Sequence, residues 1–233
     1  MGGDDEDERR DYASPPCFLH ELDPSFAGIA DAATERDVAR WRKAERARLL
    51  AERRTIPAAE RAALAEALTA HLDALLEDRF GTPAGRCISA YWPIKDEPDL
   101  RGWMRSLIAR GAKTALPVVE TRAAPLVFRR WTPDTAMARG RWNILVPGAA
   151  AEVVTPQIAL APLVGWDGAG FRLGYGGGYF DRTLAALSPR AFAIGVGLEA
   201  ARLATIYPQP HDIRLDAIVT EAGLRFLRTE DHP

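Results

Sequence analysis

The chain has 233 residues, 47% of them hydrophobic and 27% charged, a composition that suits one globular domain with a substantial core. Its formal net charge of −2 excludes a global electrostatic drive toward nucleic acid or an anionic membrane. Two cysteines, Cys17 and Cys87, form neither a disulfide framework nor a zinc motif and fit a reducing cytoplasm, while the acidic start and the lack of a long apolar run speak against a signal peptide or a membrane span.

Residues 1–35 read as a tail and an arm. The first dozen are small and charged, with too little apolar surface to offset the entropy of ordering. Tyr12, Phe18, Leu22 and Phe26, set among prolines, then suit an extended arm packed on a surface. Cys17 and His20 fall there without a second cluster to complete a metal site, so packing is the better account of them. Residues 36–233 form the main domain. A long charged helix is predicted over residues 34–54, with Val38, Trp41, Leu49 and Leu50 as its apolar members. Pro57 suits the first turn of a second helix, whose leucines at 64, 68, 72, 75 and 76 recur every three to four residues until Gly81 and Pro83 stop it.

Beyond this point the texture changes. Short apolar runs at 87–92, 115–119, 126–130, 158–164, 192–196 and 217–219 read as buried strands, with a crossover helix near 97–110. Their alternation with helices predicts an α/β fold: a three-layer, Rossmann-like arrangement with a mostly parallel central sheet and helices on both faces.

Residues 161–187 are the most informative stretch. An apolar strand ends in Asp167, passes through glycines at 174, 176, 177 and 178, and enters a helical pattern. Such glycines permit positive φ and close backbone approach, and N–H groups exposed at a helix entrance cradle phosphate oxygens. The run GYGGGY lacks the last glycine of GxGxxG, and no Walker A sequence occurs, so the loop belongs to another phosphate-binding class. A glycine-rich turn alone equally fits a tight strand-to-helix connection. Arg172 and Arg182, which can meet phosphate oxygens, and Asp181, which can hold a magnesium ion, favour the phosphate reading. On the first helix Arg42 and Arg46 lie one turn apart and Arg53 seven residues further on, so all three are able to face one anion. A solvated arginine-rich face is the plainer alternative.

The run RLGYGGGYFDR, residues 172–182, closely resembles the signature of 5-formyltetrahydrofolate cyclo-ligases, also called methenyltetrahydrofolate synthetases. YWPIKDEPDL at 91–100, LPVV at 116–119, APLVGWD at 161–167 and QPHDIRLDAIVT at 209–220 resemble further family segments in the same order, so that the likeness spans roughly residues 36–225. It implies that Arg172, Leu173, Gly174, Tyr175, Gly176, Gly177, Gly178 and Tyr179 hold the phosphates of ATP, with Arg42 and Arg46 close by. It further implies that Asp181 and Asp212 coordinate Mg2+, that Glu97 contacts the folate with Tyr175 and Tyr179 bordering it, and that Arg172 and Tyr179 act in catalysis.

The reaction implied is ATP-dependent cyclisation of 5-formyltetrahydrofolate to 5,10-methenyltetrahydrofolate, with ADP and phosphate released. Protein groups there contribute positioning and charge stabilisation. Expected partners are a reduced folate and ATP, with no nucleic acid or membrane, in a cytoplasmic monomer or weak homodimer. Two departures stand out: Val146-Pro147 occupies the place of a Glu-Pro pair, and Phe180 replaces a second tyrosine. The missing glutamate motivates an alternative, a nucleotide- or folate-binding paralogue with different or no catalysis. Glu97 read without the family is a helix-start acid, and the tryptophans at 92, 103, 131, 142 and 166 receive no role.

Overall fold

A computed structural model describes residues 32–229, so the tail, Cys17, His20 and most of the arm lie outside the described residues. In chain order the elements are α1 (Ala32–Thr55), α2 (Ala58–Phe80), β1 (Cys87–Ser89), α3 (Arg101–Ala109), β2 (Lys113–Val118), β3 (Val127–Trp131), β4 (Met137–Arg139) and β5 (Leu145–Pro147). There follow β6 (Ile158–Pro162), β7 (Gly165–Asp167), β8 (Arg172–Leu173), α4 (Tyr179–Ala186), β9 (Phe192–Val196), β10 (Arg202–Leu203), β11 (Ala217–Thr220) and β12 (Gly223–Leu227). Helix α1 thus begins inside the segment assigned from sequence to the arm, and α3 starts four residues later than the pattern suggested.

The main sheet has seven strands in the order β12-β11-β9-β6-β1-β2-β3. The five inner strands are parallel, and β3 and β12 pair antiparallel at the edges. Inner strands are mainly apolar because both faces are covered. Ile158 and Leu160 of β6 pack on the side that carries Leu68, Leu72 and Leu75 of α2 and Met104 and Leu107 of α3. Ala159 and Ala161, pointing the other way, pack on the side of Leu184 from α4. This is the expected three-layer arrangement. No helix among the described residues is long and apolar enough to cross a membrane.

One strand differs from its sequence reading. Residues 158–167 do not run as one strand: Leu163 N–H still donates to Val196 of β9, but Val164 N–H donates to Leu173. The chain changes sheet at that step, and β7 joins β8 and β10 in a three-stranded sheet. Helix α1 packs there through Leu49, beside Val164, Leu173 and Ile206. Gly165 permits the contact, since a Cβ on it would come within 2.8 Å of the Leu49 side chain. The strands β4, β5 and β12 carried no signal strong enough to be read from the sequence.

Candidate active site

Strand β1 lies between β2 and β6, and the chain proceeds from it first to one side and then to the other. The crevice beyond the carboxyl ends of β1 and β6 is therefore the topological switch point, where open α/β sheets hold ligands. Three segments meet there: residues 90–97 after β1, residues 163–164 after β6, and the glycine loop 174–178 between β8 and α4.

Glu97 is buried, 6% exposed, at the end of the first segment. Its Oε1 accepts the Tyr175 hydroxyl at 2.7 Å and its Oε2 accepts Ile94 N–H at 2.9 Å. Burial pushes its carboxyl up to about 7, against the pull of these two hydrogen bonds and of the Arg53 and Lys95 charges. Burial and the facing carboxylate likewise raise the Tyr175 hydroxyl. Native Glu97 consequently retains a proton that the unfolded chain releases between an ordinary 4.5 and about 7. The stability it contributes is full below that window and is lost as pH rises through about 7, by about 3 kcal/mol. Urea unfolding of the wild type and Glu97→Gln at about pH 5 and about pH 8 is expected to show the variant gaining relative stability at the higher pH. Equal pH dependence of the two proteins would contradict the burial effect.

The glycine loop is held from several sides. Gly176 adopts φ +92°, a region open to glycine at little cost. A Cβ on Gly174 would lie 2.6 Å from an Arg172 guanidinium nitrogen, so a side chain there would displace Arg172 from its place. Helix α4 follows with no side-chain cap at its start, leaving first-turn N–H groups for an anion.

Around this loop three guanidinium groups face two carboxylates. Arg42 is buried and donates to Asp212 through both terminal nitrogens and to the carbonyls of Ile206 and Tyr207. Arg172 is buried and donates to Asp181 Oδ2 at 2.8 Å, with its guanidinium 5.3 Å from the Phe180 ring. Arg46 donates through Nε to Gly174 O at 2.6 Å. Burial first, then repulsion from Arg42 and Arg172, pushes Arg46 below its ordinary value, with Asp212 opposing. Burial also lowers Arg172, against Asp181 and Asp212. For Asp212 burial acts upward but is outweighed by Arg42 and the Gln209 N–H, which hold it below the usual carboxylate range. The set carries one positive charge in excess, which suits a polyanion.

The arginines of α1 do share one face, but each meets a different partner: Arg42 the Asp212 turn, Arg46 the loop, and Arg53 the Leu163 carbonyl and the Tyr175 hydroxyl. They do not converge on a single point. Asp181 and Asp212 come into one neighbourhood, since Asp181 Oδ1 accepts Ile213 N–H at 3.4 Å. Asp167 is committed elsewhere, accepting Ala169, Phe171 and Ile206 N–H groups. Leu173 presents only its backbone, because its side chain is in the core. Arg182 folds back on the Gly177 carbonyl and the Tyr179 ring.

Trp142, given no role from sequence, is 67% exposed and its ring stands edge-on to Tyr179 at 5.6 Å. Its φ of +53° is uncommon for a bulky residue, and the turn it belongs to carries no sequence signal. Val146 lies in the same β4–β5 hairpin, where its side chain would be 3.0 Å from a Cβ on Gly140. The position of the absent glutamate is thus a hairpin packing position here.

The model of the 5-formyltetrahydrofolate cyclo-ligase family matches residues 38–221. A 5-formyltetrahydrofolate cyclo-ligase of Mycolicibacterium smegmatis is 33% identical over 191 residues, which cover 78% of this chain and 95% of that protein. One of Haemophilus influenzae is 33% identical over 138 residues, 57% of this chain and 71% of its own length. The NMR structure of Aquifex aeolicus 5,10-methenyltetrahydrofolate synthetase superposes with a TM-score of 0.68 at 25% identity, covering 82% of this chain and 95% of that one.

Proposed function

The chain belongs to the 5-formyltetrahydrofolate cyclo-ligase family, and from that premise we propose that its glycine loop holds the phosphates of ATP while Glu97 holds the reduced folate. The enzyme is a ligase that converts 5-formyltetrahydrofolate and ATP to 5,10-methenyltetrahydrofolate, ADP and phosphate. The formyl oxygen attacks the γ-phosphorus and ADP leaves. Nitrogen 10 then attacks the activated formyl carbon and gives up its proton to solvent, and phosphate departs as the ring closes.

In this reading the backbone of residues 173–178 and the guanidinium groups of Arg46 and Arg172 position the triphosphate and offset its charge. Arg42 holds Asp212 in place beside them. The excess positive charge at the bare Gly174–Gly176 backbone is the observation that carries the nucleotide assignment. Glu97, aided by Tyr175, accepts N–H donors of the pterin, and Tyr179 with Trp142 forms an aromatic wall beside it. Arg172 and Tyr179 are the residues assigned to contact the reacting groups.

Among the described residues no group of three or more His, Cys, Asp or Glu side chains forms a metal cage. Asp181 and Asp212 fit magnesium that arrives on the nucleotide and takes one or two carboxylate oxygens together with phosphate. Bound there, the ion would supply charge neutralisation at the phosphoryl group. The low net charge and the paucity of cysteine support a cytoplasmic enzyme without nucleic-acid or membrane partners, and we read it as a monomer or weak homodimer.

Absorbance of methenyltetrahydrofolate during incubation with 5-formyltetrahydrofolate and MgATP tests the function directly. The wild type is expected to form product, and Asp181→Ala to turn over at least about tenfold more slowly at low magnesium while remaining folded. Unchanged magnesium dependence in the variant would remove Asp181 from the metal site. A silent but ATP-binding wild type would favour a paralogue without this reaction.

A further inference from the structure

Arg53 is buried, 6% exposed, on the α1 face that looks into the crevice. Its Nη1 donates to Leu163 O at 3.2 Å, beyond the end of β6, and its Nη2 donates to the Tyr175 hydroxyl at 2.7 Å. Its Nε has no protein partner, and no carboxylate forms an ion pair with it among the described residues. Behind it lies a small cavity of about 120 Å3 lined largely by apolar groups, including Leu49, Ile56, Val164 and Ala201. Glu52 also lines it, but its carboxylate accepts Arg48 at 2.7 Å and forms no ion pair with Arg53.

The hydrogen inventory then fixes a direction. A guanidinium has donors only, so the Tyr175 oxygen must accept from Arg53. The one phenolic proton is thereby left for Glu97 Oε1, 2.7 Å away on the other side. The ring of Tyr175 is also held beneath the Lys95 ammonium, 5.1 Å from its centre. Tyr175 belongs to the phosphate loop, one residue after the Gly174 carbonyl that Arg46 grips. A single side chain therefore joins the carboxylate after β1 to the loop before α4.

We propose that Arg53 is a positioning residue that couples the two substrate subsites: by donating to Tyr175 it aims the phenolic proton at Glu97, so that a ligand on Glu97 and a triphosphate in the loop stabilise one another. This rests on the assignment of Glu97 to the folate and of the loop to MgATP. A ligand hydrogen-bonded to Glu97 fixes the carboxylate that accepts the Tyr175 proton, and so fixes Tyr175. The loop is thereby held in the geometry it needs for phosphate, and by linkage the nucleotide raises folate affinity by the same factor.

Calorimetry on the full chain, with magnesium and the β,γ-imido analogue of ATP, measures this coupling without turnover. In the wild type, saturating 5-formyltetrahydrofolate is expected to lower the Kd of the analogue about fivefold or more. In Arg53→Met and in Tyr175→Phe the ratio is expected to fall below about twofold, with Arg53→Lys restoring part of it. A merely structural role would weaken both ligands and leave the ratio unchanged. Tyr175→Phe keeps the ring, so it serves if Arg53→Met does not fold. A wild-type ratio near one, or an undiminished ratio in the variants, overturns the coupling. Failure of the wild type to make methenyltetrahydrofolate instead overturns the functional reading on which it rests.

Discussion

Glu97→Gln is expected to lower kcat/KM for 5-formyltetrahydrofolate roughly 100-fold, the loss of a charged acceptor together with a clash of donors. Both Glu97 oxygens already accept hydrogen bonds, one from the Tyr175 hydroxyl and one from Ile94 N–H. A glutamine replaces one oxygen with an NH2 group, which must then face one of those two donors. The folate also loses a carboxylate on which to place its N–H groups. In the wild type, kcat/KM for the folate is expected to rise with pH through about 7 and to level off above it, because the buried carboxyl is ionised only there. The glutamine variant has no such inflection. Initial rates of methenyltetrahydrofolate formation across the range check both statements, and an unchanged kcat/KM would remove Glu97 from the folate site.

The second large effect is expected at Arg172. Arg172→Ala raises the KM for ATP by roughly 100-fold, the scale of a lost charge-assisted contact to phosphate, while the KM for folate changes much less. The same substitution leaves Asp181, whose side chain is 14% exposed, without its guanidinium partner. Breaking a largely buried pair from one side costs about 3 kcal/mol of stability. The kinetics are therefore to be read beside a near-ultraviolet circular dichroism spectrum, and beside Arg172→Lys, which keeps a charge but not the planar fork. The lysine variant is expected to fall between wild type and alanine. An unaltered KM for ATP in a folded alanine variant would show that the guanidinium does not serve the phosphates.

Both predictions concern residues that the sequence singled out, yet their surroundings came from the fold. Arg172 was legible because RLGYGGGYFDR is a compact motif with local requirements: glycine where φ is positive, and an arginine and an aspartate nine residues apart. That Arg172 and Asp181 pair with each other at 2.8 Å was not legible, since a strand, a loop and a helix start intervene. Arg53 is the clearest case of a face read correctly with the wrong destination. Helical spacing put it in line with Arg42 and Arg46, and burial against β6 then turned it to a carbonyl and a hydroxyl in place of an anion. The run APLVGWD looked like one strand because its residues before Asp167 are mainly apolar. Its change of sheet after Leu163 is visible only in where the next N–H finds its acceptor.

By itself the sequence determined the layers and the loop. Strands buried on both faces are mainly apolar, α2 repeats leucine every three to four residues, and glycine most readily takes the positive φ of Gly176 and Gly178. These are local rules written in adjacent residues. Only the tertiary structure decided which group each arginine meets, because Arg42 and Asp212 are 170 residues apart, Arg46 and Gly174 128, and Arg53 and Tyr175 122. It also decided that Trp142 stands against Tyr179 and that Glu97 is dry enough to hold its proton to about pH 7. Contact across such separations is set by how the sheet stacks its layers, and burial is a property of those layers together.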